Sequence, residues 1–201
     1  MIPINIVMRI NEILSELHGI KGELADIGPG AVSQSWEKLL DKHGFKPIGA
    51  GMYGQVYLNP KFPYVLKVFR SQDHSYQRWV SACKGPLRGN PYVPVFRGGL
   101  VRLTPDAKAT RIELLTTATD EQKKGAVWLY KFLWQASQKR LKHWSDLYPD
   151  ADVLGQMDKN LIEVLNQIYK IAMTYPKTTI DISEENVMNR SGQLVFIDPL
   201  A

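Results

Sequence analysis

A chain of 201 residues with 44% hydrophobic and 22% charged side chains holds enough apolar mass for one substantial core and little chain for a second. Its net charge of +5 and pI near 9.2 suit a nucleotide or an acidic surface but select no partner on their own. No apolar run reaches membrane-spanning length, and Met1-Ile2-Pro3-Ile4 lacks the charged opening of a secretory signal. The single Cys83 cannot close an internal disulfide and reads as a small buried hydrophobe. His18, His43, His74 and His143 are scattered without ligand spacing, so no zinc site is expected. A cytoplasmic location, without membrane association, is the expectation.

Residues 1–43 read as a helical extension. Ile6, Ile10, Ile13, Leu14 and Leu17 recur at helical spacing, and Gly28-Pro29-Gly30 interrupts the pattern. Ser33 or Ser35 is expected to cap a second short helix that carries Trp36, Leu39 and Leu40 and ends near Gly44. Three strands follow, near 45–50, 54–59 and 64–69. Between the first two lies Gly49-Ala50-Gly51-Met52-Tyr53-Gly54, and the third contains Val65-Leu66-Lys67-Val68-Phe69.

Gly49, Gly51 and Gly54 let bare backbone N–H groups approach phosphate oxygens, and Lys67 adds a point charge of the right sign. The glycine spacing alone is weak evidence, because dinucleotide-binding folds share it. Those folds open a helix at the glycines. Here Gln55-Val56-Tyr57-Leu58 continues as a strand, which favours a nucleotide-covering hairpin over the dinucleotide loop. An ordinary glycine-bearing hairpin is the plain alternative.

A helix near 74–84 is expected to end at Gly85-Pro86, and strands near 95–103 and 109–115 complete the small sheet. Leu114 to Ala118 is expected to form a hinge, followed by helices near 119–145 and 158–174. Lys123, Lys124, Lys131, Lys139, Arg140 and Lys142 interleave with Trp128, Phe132, Trp134 and Trp144. Aromatics among lysines can stack on bases. At these spacings one apolar helix face opposite the lysines is the preferred reading, so nucleic acid is not expected as a direct ligand.

Near the end of the chain, Asp181-Ile182-Ser183-Glu184-Glu185-Asn186 precedes a short hairpin turning at Ser191-Gly192, and Ile197-Asp198-Pro199 closes it. Two acids and an amide gathered by a hairpin suit phosphoryl transfer. One carboxylate accepts a hydroxyl proton, while the amide oxygen and the other carboxylate hold magnesium. The Asp181-to-Asn186 spacing matches the protein-kinase catalytic loop, and Asp198 stands where that family has its magnesium-binding aspartate.

The chain therefore resembles the protein-kinase-like fold, and is similar in particular to the early protein kinases of T7-like bacteriophages. The narrower likeness rests on Gly44-Phe45-Lys46-Pro47-Ile48-Gly49-Ala50-Gly51, Val65-Leu66-Lys67-Val68, Asp181 through Asn186-Val187-Met188, and Ile197-Asp198-Pro199 with Pro where Phe-Gly is usual. It covers residues 44–201 with gaps. The resemblance implies an α+β, two-lobed fold: a small antiparallel sheet lobe over about 44–117 and a truncated helical lobe over about 118–201. It implies serine/threonine kinase activity with ATP and magnesium, on host proteins such as transcription and RNA-processing machinery. Gly49, Gly51 and Gly54 would cover the phosphates and Lys67 would hold the α- and β-phosphates. Ile48, Val56 and Val65 would sandwich adenine, Asp181 would act as base, and Asn186 and Asp198 would hold the metal.

Three departures from that pattern stand beside the matches. Thr179-Ile180, not His-Arg, precedes Asp181, and Ser183 replaces a phosphate-contacting lysine. No glutamate lies between Lys67 and Glu113 to orient the lysine; Asp73 comes early, and Glu12, Glu16, Glu23 or Glu37 would have to substitute. The sequence also ends three residues after Asp198, so substrate recognition would use another surface or the chain would be part of a longer protein. Two other readings thus stay open: a kinase-shaped binding module that sequesters, or is activated by, a partner, and a small-molecule phosphotransferase.

Overall fold

The computed structural model describes residues 34–147 and 157–201, so the expected first helix and its Gly28-Pro29-Gly30 break lie outside the described residues. The fold is α+β, with a five-stranded antiparallel sheet, a three-stranded sheet and helices. The chain packs as two compact units. One runs to Gln72 and includes Gly98–Arg111; the other holds Asp73–Arg97 and Ile112–Ala201.

Among the described residues the first unit opens with helix α1 (Gln34–Lys42), which places Ser35 inside the first turn rather than at the cap. Glu37 in that turn faces the positive end of the helix dipole. Gly44 ends the helix with φ at +79°, a left-handed turn that residues with a side chain rarely adopt. Strand β1 (Lys46–Ala50) pairs antiparallel with β2 (Gly54–Leu58), and β2 pairs with β3 (Tyr64–Arg70). With β4 (Phe96–Thr104) and β5 (Ala107–Glu113), the order is β1-β2-β3-β5-β4.

Strand alternation sorts the side chains of β2 and β3 onto two faces. Tyr57, Tyr64, Leu66 and Val68 join Leu40, Phe45, Leu103 and Ala109 in one buried cluster. The break expected at Asn59-Pro60 is a built turn. Asn59 is buried, donates to the His43 carbonyl at 2.9 Å and accepts from the Lys61 amide at 3.0 Å.

In the second unit, helix α2 (His74–Lys84) starts where Asp73 accepts a hydrogen bond from the Tyr76 amide at 2.9 Å. It buries Tyr76, Trp79, Val80, Ala82 and Cys83. Burial pushes the Cys83 thiol up, so this cysteine is an inert core group. A short strand β6 (Thr116–Thr117) pairs with β7 (Val187–Arg190), which pairs with β8 (Gln193–Phe196). The β7–β8 turn uses Ser191 and Gly192 at φ of +50° and +94°, the left-handed pair that matches hairpin twist.

Helix α3 (Asp120–Gln138) opens with a capping box between Thr119 and Gln122. The same Gln122 amide donates to the Gly192 carbonyl at 2.9 Å, fixing the helix start against the hairpin turn. After a 3-10 turn at Trp144–Leu147 comes helix α4 (Lys159–Thr174), which packs on α3.

The aromatic face expected of α3 is not what the helix buries. Its inward side chains are Ala126, Leu129, Leu133 and Ala136, while Trp128 and Trp134 are 45% and 46% exposed. Six residues at 100° each place the two tryptophans about 240° apart, on either flank of the leucine stripe. Trp144 lies beyond the helix and is buried, its indole N–H donating to Asn166 at 2.8 Å. Among the described residues, no helix is long and apolar enough to cross a membrane.

Candidate functional site

The glycine loop closes through a hydrogen bond from the Gly51 amide to the Gly54 carbonyl at 2.8 Å. None of its three glycines has a positive φ, so the turn needs no left-handed residue. Their roles differ. A Cβ on Gly54 would stand 2.6 Å from the Val68 carbonyl, whereas one on Gly49 or Gly51 would meet nothing within 4 Å. Gly54 therefore permits the close β2–β3 approach, and Gly49 and Gly51 leave the loop's backbone uncovered. Gly54→Ala should force the strands apart and destabilise by about 1–3 kcal/mol, while Gly51→Ala should leave the melting temperature nearly unchanged. Thermal unfolding of both variants checks this.

Across the ladder Val56 pairs with Lys67, and Leu58 with Val65, so Val56, Val65 and Lys67 share one face of the sheet. Lys67 is half-buried there, and Val65 is buried. Ile48 falls at the irregularity between Pro47 and Gly49 and is 54% exposed. Helix α1 covers the opposite, Tyr57-bearing face, where Glu37 acts on Tyr57. Strand alternation therefore separates Glu37 from Lys67 by the thickness of the sheet. The candidate of the extension that falls among the described residues is thus on the wrong side to orient the lysine. Asp73, the acid early in the next segment, is engaged as the cap of α2.

The second unit gathers the acids and the amide. Residues 179–181 pair antiparallel with 199–201. The Asp181 amide donates to the Pro199 carbonyl at 2.8 Å, and the Thr179 and Ala201 amides donate to each other's carbonyls. Buried Ile180 and Ile182 flank Asp181 and leave its side chain half-exposed between them. Ile180 thus uses for packing the position before the acid where the kinase pattern has arginine.

A 3-10 turn, Glu184–Asn186, then brings the chain back. The Asn186 side-chain amide donates to the Asp181 backbone carbonyl and to its carboxylate oxygen, both at 2.9 Å. The Asn186 backbone carbonyl accepts from the Ile197 amide at 2.9 Å, next to Asp198. Backbone and side-chain hydrogen bonds together hold Asp181, Asn186 and Asp198 on adjoining segments.

The same geometry tests whether magnesium suits the residues present. With its NH₂ group turned to Asp181, Asn186 keeps its amide oxygen out of any hydrogen bond among the described residues. An amide oxygen and a carboxylate are hard oxygen donors of the kind magnesium takes. Among the described residues no group of three or more His, Cys, Asp or Glu side chains gathers as a metal cage.

No family model matches the chain, and no curated protein matches it. The site therefore rests on its own geometry.

Two features of it have no counterpart in the sequence pattern. Tyr76, fully buried in α2, has its phenol pushed well above the usual value, first by burial and then by the negative charge of Asp198. It stays a neutral hydroxyl at physiological pH. The helix period gives the inward position of Tyr76, but no local pattern links it to Asp198. The other is a strut built on Arg190. Its guanidinium pairs with the Glu113 carboxylate and also donates to the carbonyls of Pro91 and Val93 at 2.9 and 2.8 Å. Glu113 in turn accepts from the Val95 amide at 2.6 Å. The strut ties the start of the Leu114–Ala118 segment to β7 and to the linker after α2.

Proposed function

We propose that the protein is an ATP- and magnesium-dependent phosphotransferase of protein-kinase-like, two-lobed fold that acts on serine or threonine hydroxyls of proteins. The observation that carries this reading is the hydrogen-bonded union of Asp181, Asn186 and the Ile197-Asp198 strand end. A carboxylate held by a neighbouring amide, with a second carboxylate one strand away, is what in-line phosphoryl transfer needs.

In this reading Asp181 orients the attacking hydroxyl and accepts its proton as the oxygen bonds to the γ-phosphorus and the bond to the β-γ bridging oxygen breaks. ADP leaves with that bridging oxygen's charge. Asn186 and Asp198 would hold magnesium, whose chemistry when bound would be to offset charge on the phosphates. The backbone of Gly49, Gly51 and Gly54 covers the phosphates, and Lys67 holds the α- and β-phosphates. Val56 and Val65, on the lysine's face of the sheet, line the adenine with Ile48. The resemblance to phage early kinases supports host proteins as acceptors.

Intact-mass measurement after incubation with ATP and magnesium tests the reading. The expected result is an added phosphoryl group on the protein itself or on a supplied acceptor protein. A protein that binds ATP–magnesium without transferring, or fails to bind it by calorimetry, would instead be the kinase-shaped binding module. The lack of any glutamate between Lys67 and Glu113 favours that second reading.

A further inference from the structure

Away from the acid–amide–acid cluster, α2 and α4 border an open groove of about 490 Å³ within the second unit. His74, Arg78 and Lys170 line it, and among the described residues no carboxylate does. Arg78 is half-buried, and its guanidinium carbon lies 3.8 Å above the centre of the Tyr175 ring. One of its nitrogens donates to the Thr178 hydroxyl at 3.0 Å. Thr178 is itself buried, 3.1 Å from the Ser75 hydroxyl, with its amide bonded to the Tyr175 carbonyl.

Stacking on one side and a single hydrogen bond on the other fix the plane of the guanidinium. Its five N–H donors are far from spent by that one bond. The neighbouring acid, Asp73, is turned to the Tyr76 amide at 2.9 Å. A preorganised guanidinium in a basic groove with no carboxylate lining is matched by a dianion with several acceptor oxygens. A phosphoryl group has that charge and geometry. Ala82, Pro86 and Ile171 supply apolar wall beside the bases, which leaves room for more than a free ion.

We infer that the α2–α4 groove binds a phosphorylated serine or threonine side chain of a protein, with Arg78 as the fork and Lys170 as a second charge. This site is independent of the phosphotransferase reading and survives its failure.

Calorimetry on the full chain with three probes tests it: a phosphoserine peptide with apolar flanks, the same peptide unphosphorylated, and inorganic phosphate. The phosphopeptide should bind at one site, the unphosphorylated peptide should not, and inorganic phosphate should compete but more weakly. Arg78→Gln should weaken phosphopeptide binding about tenfold or more, and Arg78→Lys by less, since lysine keeps the charge but loses the fork. Lys170→Glu, at an exposed position, should also abolish the signal and covers the case in which Arg78→Gln unfolds. Lys67→Met should leave binding unchanged, which separates this groove from any nucleotide site. Equal binding of both peptides, inorganic phosphate as tight as the phosphopeptide, loss of binding in Lys67→Met, or no effect of Lys170→Glu would each overturn the inference.

Discussion

Under the proposed phosphotransferase reading, Asp181→Ala should lower the rate of phosphoryl transfer by about a thousandfold while leaving ATP affinity within about twofold of the parent, because a general base contributes roughly 10²–10⁴ in rate and little to ground-state binding. The variant is expected to fold. The Asp181 amide is held by the Pro199 carbonyl, and the Asn186 side chain keeps its bond to the Asp181 backbone carbonyl when the carboxylate is removed. What is lost is one hydrogen bond in a half-exposed place, about 1 kcal/mol of stability.

Asp181→Asn sharpens the test, because it preserves size and a hydrogen-bonding oxygen for Asn186 while removing the basicity. A rate as low as that of the alanine variant assigns the loss to chemistry and not to geometry. Asn186→Ala should behave differently: it deletes a proposed metal donor and both bonds to Asp181, so the magnesium concentration for half-maximal rate should rise. Initial rates with labelled ATP at varied ATP and magnesium separate these outcomes. Full activity in Asp181→Ala would remove that residue from the chemistry.

Arg190→Met should destabilise the protein by about 2–4 kcal/mol, a large effect for a residue outside the apolar core. The side chain makes four bonds to three residues, and its loss strands two carbonyls as well as the Glu113 carboxylate. Arg190 and Glu113 side chains are 29% and 17% exposed, so the pair is shielded enough that water does not replace the arginine freely. For a chain of this length that corresponds to a fall of roughly 5–15 °C in melting temperature.

Glu113→Gln should cost less, since glutamine can still accept from the Val95 amide and the arginine left behind keeps its bonds to the Pro91 and Val93 carbonyls. The double variant should be less destabilised than the sum of the two singles, because the arginine's penalty is largely that of the orphaned carboxylate. Strict additivity in a double-mutant cycle would show that the two groups do not depend on each other.

The legible part of this protein was local. Helix and strand periods, glycine turns and proline breaks gave α2 its observed limits and put β1 to β5 within a few residues of where they form. The Ser191-Gly192 turn was readable because few residue pairs adopt two left-handed conformations in succession. The α3 aromatics misled for a related reason. A run rich in tryptophan suggests an apolar face, but burial followed the tighter Ala126, Leu129, Leu133, Ala136 spacing. Bulky rings at 128 and 134 sit off that stripe, and hydrophobic content does not report angular position.

Residue order alone determined which chemical groups the chain possesses and where most of the described helices and strands lie, because those depend on neighbours a few positions away; the helix expected near 119–145 stops at Gln138, and Thr116–Thr117 of the expected hinge pair as a strand. Only tertiary structure decided that the Asn186 amide closes on Asp181, that Tyr76 stands in the field of Asp198, and that Arg190 reaches back 77 residues to Glu113. It also decided that Glu37 and Lys67 belong to opposite faces of one sheet. Such pairings are fixed by strand register and by the balance of burial over the whole core, and neither quantity is carried by any short stretch of sequence.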